Sequence, residues 1–598
     1  VGTVIVTSGS HQSTYGGSND AFLVKFNSNG IRQWGTYYGG SSGDVGLSCV
    51  ADATGNVYMS GSTTSSVGTA IATPGSHQPA FASVNNNYGD AFLVKFNSSG
   101  ARLWGTYYGG NADDGAYSVE LDPFGDVYIA GIAGLSQFQP GIATSGSHQQ
   151  FNAGFSDAFL AKFNANGVRQ WGTYYGGTSS DWGYSCSTDA SGNVYLAGRT
   201  KSATAGTIIA TPGSHQSAFG GGTNVEDAFL VKFNGSGVRQ WGTFYGGSGN
   251  EFGFACATDV NGNIYLAGCS DSNTGTNTII ATPGSHQATF PAASFYIFSG
   301  FLVKFNALGT RQWGTYYGAG GSSEGIWSCK TDAIGNVYIA GNAASSGSLF
   351  ATPGSHQTMS SGTYDGFLAK FSTNGTRLGG TYYGGSNLDY GYSCTVDPFG
   401  QVYLTGITQS SNAIVSNSGG TYQSFQSGLN DAYLVKFDAC DMAPQAPVVS
   451  VPTVMCAGAS TSYTAFSYGA TLYVWSMPGG WFGSGVTSIV TPIAGSSGVF
   501  TITSSNPCGT SPQQTLSVIV NTLPVVSVNS GPLCTGQSYT ITPSGSSTYS
   551  YVGGGPVVDI AELGHGAADI LAGFLFHQRA LLQDQTDRGF RHPGQGRH

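Results

Sequence analysis

The sequence predicts an all-β repeat protein, and three observations carry that prediction. The same text recurs about every 70 residues over some 440 residues. An FLVKF-type segment starts at Phe22, Phe92, Phe159, Phe229, Phe301, Phe367 and Tyr433, and an NVYLAG-type segment ends at Gly61, Gly131, Gly198, Gly268, Gly341 and Gly406. A fixed period of this length marks an array of supersecondary units, none able to bury its own faces alone. Within each unit, aromatic and β-branched residues dominate short runs, as pleated packing prefers. Only 8% of residues are charged, and most bases stand at one fixed place per repeat (Lys25, Lys95, Lys162, Lys232, Lys304, Lys370, Lys436; Arg32, Arg102, Arg169, Arg239, Arg311, Arg377). Bases so regimented read as structure.

The unit at 181–247 shows the elements. Residues 184–189 (YSCSTD) form strand A, and a D-x-x-G-N turn with glycine in the left-handed position leads to strand B at 194–197. A long polar loop ending in ATPGSHQ precedes strand C at 228–233, and a glycine-containing turn leads to strand D at 238–245. Four antiparallel strands repeated radially are the β-propeller's solution to the edge-strand problem. The array opens just before a C strand and ends on another. Seven blades in a parent protein are the simplest reading, although the strands present could also close six with one C strand left over. The chain begins at Val1 without Met or signal peptide and enters the repeat halfway, which reads as truncation.

With these motifs in hand, residues 1–441 resemble the bacterial SBBP-type β-propeller repeat, through the D-x-x-G-N-V-Y-x-x-G hairpin and the D-A-F-L-V-K-F strand. The resemblance implies a secreted or cell-surface bacterial protein and no particular reaction. From 442 to 551 no Asp, Glu, Lys, Arg or His occurs, and short alternating segments predict a small β-sandwich over 442–521. Cys456, Trp475 and Cys508 follow the order of Ig-like domains, and the segment resembles the PKD/Ig-like modules of bacterial surface proteins. A disulfide between Cys456 and Cys508 is the expectation attached to that resemblance. Residues 522–551 restart the pattern as a truncated second module. Residues 552–598 fit neither pattern, and read as a frameshift or fusion, disordered or helical.

Candidate chemistry is repeated in every blade. An acid stands five residues before the strand A cysteine position: Asp44, Asp114, Asp181, Glu251, Glu324 and Asp389. In a propeller these would ring one mouth of the channel, where clustered carboxylates suit Ca²⁺ or Mg²⁺. The competing reading makes each acid an acceptor for nearby glycine-rich backbone. GSHQ supplies His11, His77, His148, His215, His286 and His356, and an acid precedes strand C at Asp20, Asp90, Asp157, Asp227, Asp365 and Asp431, with Ser299 as the exception. Six identical His–Asp pairs suggest loop fixing over acid–base work. Cys49, Cys186, Cys256, Cys329 and Cys394 read as small buried hydrophobes near the axis, and Trp34, Trp104, Trp171, Trp241 and Trp313 as interblade packing.

An enzyme breaks the symmetry of its repeats. The departures here are Arg199 and Lys201 in a long loop, Lys330, Glu120, and Trp182 and Trp327 in D-to-A loops, and they form no nucleophile–base–orienter set. The net charge of −10 argues against nucleic acid, and no apolar run is long enough to span a bilayer. The reading is a non-catalytic surface or secreted protein, its long B–C loops presenting a ligand site for a polysaccharide or surface component and its Ig-like modules acting as spacer. The alternative is a propeller hydrolase or lyase acting on an extracellular polymer.

Overall fold

The structure is a computed structural model. It describes residues 5–437, apart from 84–88, 136–140, 204–206, 223, 273–278, 292–296, 322–323, 345–348, 353–354, 412–421, 424–425 and 427; residues 447–521, apart from 451–452, 468–469, 471, 482–486 and 507–508; and 538–541 and 568–571. The described elements are all strands, and none of these residues forms a helix long and apolar enough to cross a membrane. The chain divides into two compact units, essentially 1–445 and 446 onward.

The first unit is a β-propeller. Five four-stranded antiparallel sheets follow one another along the chain, preceded by a C–D hairpin (Ala21–Phe26, Arg32–Tyr38) and followed by an A–B–C sheet (Asp389–Val396, Val402–Thr408, Asp431–Phe437). These partial sheets stay separate, as blades 1 and 7. Tyr422 of the seventh repeat takes the place of the histidine in other repeats. Its ring meets Phe26 at 5.8 Å, and the Arg32 guanidinium lies 4.6 Å above it. In neighbouring blades the histidine meets the next blade's phenylalanine in the same way, as His148 meets Phe233 at 5.7 Å. The ring therefore has seven positions.

Blade 4 shows why these residues form these strands. Strand A spans Asp181–Thr188, B Val194–Thr200, C Asp227–Phe233 and D Arg239–Tyr245. The A–B turn closes by Asp189 and Gly192 backbone bonds of 2.9 Å, with Gly192 at φ 76°. Strand A starts three residues earlier than the sequence suggests, because the register breaks between Gly183 and Ser185 and hides the alternation. Strands B and C are buried on both faces, so they read as apolar runs.

The long B–C loop differs most from expectation. It does not simply extend from one face; its ATPGSHQ part runs back along the outer edge of strand D as a strap. The Thr211 N–H donates to Gly242 O at 2.8 Å, and the Phe244 N–H to Gln216 O at 3.1 Å. Gln216 N–H also donates to Thr243 Oγ1 at 2.9 Å. The strap satisfies an edge that would otherwise be open to pairing with another chain.

The second unit is a β-sandwich. One sheet has Val448–Ser450, Tyr463–Phe466 and Ile489–Val490; the other has Val454–Cys456, Gln514–Asn521, Gly498–Asn506 and Leu472–Ser476. Its core centres on Tyr463 stacked on Phe500 at 4.9 Å, with Trp481 edge-on to Phe500 at 4.7 Å. The expected Cys456–Cys508 bridge is corrected at Cys456, which is an exposed free thiol; Cys508 lies outside the described residues. Cys456 pairs with Asn521, at the end of the sheet where Gly498–Asn506 begins. Of the tail expected to be disordered or helical, Ala568–Leu571 instead pairs antiparallel with Ser538–Ile541; the rest of 552–598 lies outside the described residues.

Candidate binding site at the channel mouth

The repeated polar residues turn inward, each for a local reason. Asp181 is buried in its own blade, where Oδ2 accepts from the Gly177 N–H at 2.7 Å and from Ser202 Oγ at 2.8 Å. Asp389 repeats this with Gly385 and Ser410, and Glu251 accepts from the Gly247 N–H at 2.7 Å and Ser270 Oγ at 2.6 Å. Asp44 accepts from Gly40, Ser65 and Thr63, Asp114 from Gly110, and Glu324 from Ala319 and Gly320. Each carboxylate of the candidate Ca²⁺ ring is thus held by hydrogen bonds within its own blade. All six carboxylates are buried, and no three metal-ligating side chains converge among the described residues.

The histidines do not pair with the strand C acids. The neighbouring glutamine of GSHQ does: Gln216 donates from Nε2 to Asp227 Oδ2 at 3.2 Å while its Oε1 accepts from the Gly246 N–H at 3.0 Å. Even the seventh repeat, which lacks the histidine, keeps Gln423 donating to Asp431 at 2.8 Å. The His215 ring instead lies against Tyr245 and Phe305. The cysteines join adjacent A strands. The Cys186 N–H donates to Ser118 Oγ of the preceding blade at 3.1 Å, as Cys256 does to Ser185 and Cys394 to Ser328. Each strand D tryptophan reaches the next blade's C–D turn, Trp171 Nε1 donating to Gly235 O at 3.0 Å.

In several D–A corners two carboxyls meet, and their protonation has a stability consequence; at Gly318 Ser299 stands in place of one of them. Gly176 is wedged against both Asp157 and Asp181, and Gly246 against both Asp227 and Glu251. Oδ1 of Asp157, Asp181 and Asp227 is buried without a hydrogen bond. Burial pushes Asp181 up to about 6 and Glu251 to about 7. Burial and the facing carboxylate push Asp157 to about 7 and Asp227 to about 8. Burial, reinforced by a neighbouring arginine, lowers His77, His148 and His215 to about 4. Raised carboxyls stabilise the fold fully below the unfolded value of about 4, and this is lost as pH rises through 6–8. Lowered histidines stabilise it above about 6.5, and this is lost as pH falls toward 4. The two sets oppose one another below about 6.5, and only the carboxyl contribution still changes above it. The propeller's melting temperature is expected to be lower at pH 8.5 than at pH 6.5, with the difference reduced in Asp227→Asn. A higher melting temperature at pH 8.5 would contradict the buried carboxyl pairs.

What remains unshared among the repeats lies around the axis. The A strands of neighbouring blades touch one another, and each carries a bulge at the same place: Leu47, Tyr117, Tyr184, Phe254, Trp327 and Tyr392. A bulge re-aims a side chain out of the ladder. Along blades 3 to 6 the re-aimed rings form a continuous arc. Tyr117 meets Tyr184 at 5.8 Å, Tyr184 meets Phe254 at 5.1 Å and Phe254 meets Trp327 at 4.4 Å. Trp182 stacks on Tyr117 at 6.3 Å, and Phe252 stacks on Phe298 at 5.4 Å. The Arg199 guanidinium sits 4.3 Å over Trp182 and 5.0 Å over Phe252, within cation–π range, and pairs with Glu226 at 3.0 Å. Lys201 holds the other Glu226 oxygen at 3.0 Å. Trp327 donates to Asn342 Oδ1.

Three residues beyond Trp327 on its strand, Lys330 crosses to Glu120 of blade 3, a contact of 3.2 Å. Glu120 holds the Lys330 ammonium well above the usual lysine range. Burial pushes up the thiols of Cys49, Cys186, Cys256, Cys329 and Cys394, and the Lys330 charge opposes that rise at each. The pair forms a charged floor beneath the aromatic arc. Sequence reasoning singled out Trp182, Trp327, Arg199, Lys201, Lys330 and Glu120 as departures without placing them together, and put both tryptophans in loops; they lie in strand A. It missed Tyr117, Tyr184, Phe252 and Phe254. Their signal was the phase of strand A: Asp181 and Gly183 are buried, whereas Trp182 and Tyr184 are half-buried.

Comparison with known proteins agrees with this architecture. The Beta-propeller repeat family (SBBP) matches residues 170–203, and the PKD-like domain family matches residues 443–518. The regulatory protein FlaEY of Caulobacter vibrioides is 25% identical over 310 residues, covering 50% of this chain and 31% of that protein, so the chain spans under a third of this relative. Among solved structures, Sqt1 from Chaetomium thermophilum is 8% identical, with 75% of this chain and 96% of that chain covered and a TM-score of 0.29. The extracellular domain of the putative hybrid two component system BT4673 from B. thetaiotaomicron is 12% identical, with 80% and 57% covered and a TM-score of 0.26. Neither structural overlap carries a functional argument at these scores.

Proposed function

We propose that this chain, a β-propeller with SBBP-type repeats that also carries a PKD-like domain, is a non-catalytic binding or scaffold protein of the cell exterior. The propeller is a rigid disc, because its recurring acids, glutamines, tryptophans and cysteines are spent on holding turns and neighbouring blades together. The observation that carries the reading is where the repeats diverge: around the channel mouth, where bulged positions present differing aromatic side chains. A fixed frame with one variable surface is the economy of a binding protein. The ligand is a polysaccharide or another cell-surface component, and the PKD-like domain serves as spacer. The net charge of −10 disfavours nucleic acid as partner.

The test is retention of the full chain on a panel of purified bacterial polysaccharides and on intact bacterial envelopes, with reducing ends assayed in the same samples. Retention on at least one surface without release of reducing ends is expected. Failure on every surface overturns the binding role, and release of reducing ends overturns the non-catalytic one.

A further inference from the structure

We propose that the aromatic arc at the channel mouth is a saccharide-binding subsite, in which Tyr117, Trp182, Tyr184, Phe254 and Trp327 stack against sugar rings while Lys330 and Glu120 hydrogen-bond hydroxyls from below. The proposal rests on the binding role argued above and names its site, which moves from the B–C loops to the bulges of strand A.

Three features of the arc carry it. Its rings are neighbours without being a sealed core. Of the nine tryptophans, Trp327 alone is exposed, at 37%, while five of the others are held at 9% or less. An aromatic side chain left accessible beside four more has a face available for contact. The second feature is the polar rim and floor. A pyranose presents C–H-rich faces and a hydroxyl-rich edge, so it needs flat apolar surfaces with donors and acceptors at their margins. Arg199 and Lys201 lie at the margin with Glu226 between them. The floor pair offers both donor and acceptor about 10 Å further along the strand that bears Trp327. Both members keep solvent access, with side-chain exposures of 41% for Lys330 and 18% for Glu120.

The third feature is charge. The cations of the site all engage carboxylates, Lys330 with Glu120, and Arg199 and Lys201 together with Glu226. Paired charges suit a neutral, hydroxyl-rich ligand and disfavour a polyanion, which would have to break both pairs. A purely apolar partner would leave the floor pair covered and desolvated at a cost of several kcal/mol. The wall is also rigid. Each bulge is flanked by residues paired to strand B, and Arg199 clamps Trp182 to Phe252, so stacking surfaces are organised before the ligand arrives.

The experiment uses the full chain with cellohexaose, laminarihexaose, chitohexaose and mannohexaose as probes and a polyproline decapeptide as the competing chemistry. Calorimetry on the unaltered chain and on the double variant Trp182→Ala, Trp327→Ala is paired with acrylamide quenching of tryptophan emission. At least one hexasaccharide is expected to shield the exposed tryptophan from quenching in the unaltered chain, and the double variant to bind it at least tenfold more weakly. The shielding decides the matter even if the variant folds poorly. A hexasaccharide that binds both forms equally and shields nothing overturns the subsite while leaving the binding role intact. Binding of polyproline in place of every saccharide overturns the ligand class. Binding of none of the probes overturns the subsite, and retention on polysaccharides and envelopes then decides the broader role separately.

Discussion

Replacing Trp171 with alanine is expected to cost about 3–5 kcal/mol, the range for truncating a large buried aromatic. Trp171 is 9% exposed and lies between blades 3 and 4. Its indole N–H donates to Gly235 O at 3.0 Å, its ring covers the Gly237 position closely enough that a Cβ there would meet it at 2.9 Å, and Tyr128 packs edge-on at 5.9 Å. Alanine removes the wedge between two sheets and leaves the half-buried Gly235 carbonyl with only the long contact of 3.5 Å from Lys162 Nζ. Trp171→Phe separates the two contributions. It keeps much of the ring contact and loses only the hydrogen bond, so a cost of about 1–3 kcal/mol is expected. Urea unfolding followed by near-ultraviolet circular dichroism measures both. A loss under about 1 kcal/mol for Trp171→Ala would mean that the tryptophans do not hold the blades together.

Gly242→Val is expected to destabilise the propeller by at least about 2 kcal/mol through overpacking, and to release the strap of blade 4. A Cβ at Gly242 would stand 2.4 Å from Ile209 O and 2.6 Å from Tyr175 Oη. The strap carbonyl receives the Tyr175 hydroxyl of the preceding blade, so the three elements meet where no side chain fits. The substitution must push the strap off strand D, breaking the Thr211 and Gln216 bonds that cover its edge. Limited proteolysis is expected to cut the strap of the variant at least tenfold faster than that of the unaltered protein. Equal cutting rates together with an equal melting temperature would show that the strap is not anchored there.

The same glycine shows how far sequence reading reaches. RQWGTFY announces a strand, but a glycine in its middle looks like a weakness until the strap is seen to cross it. The strap itself was read as a presented loop, because hydrogen bonds between Thr211 and Gly242 join residues 31 apart with no pattern between them. Read from the sequence, the loop-fixing contact of GSHQ falls to its histidine, while the contact to Asp227 comes from the glutamine beside it. In each case residue type was visible, but the direction of the side chain was not.

The aromatic arc follows the same logic from the other side. A one-residue bulge reverses the facing of a strand, and six bulges at one position bring Tyr117, Tyr184, Phe254 and Trp327 together from four blades. The sequence by itself determined the all-β repeat, the four strands of each blade, the D-x-x-G-N hairpins, the structural role of the strand D tryptophans and the sandwich that follows. These rest on local periodicity and turn chemistry, which a chain carries in its order of residues. Only the tertiary structure decided that the six acids are buried in separate corners, that Tyr422 meets Phe26 to complete seven positions, and that Lys330 reaches Glu120 across 210 residues. Those depend on which faces turn to the axis and on how the ring brings distant strands together, and repetition conceals both because every copy looks the same until its neighbours are in place.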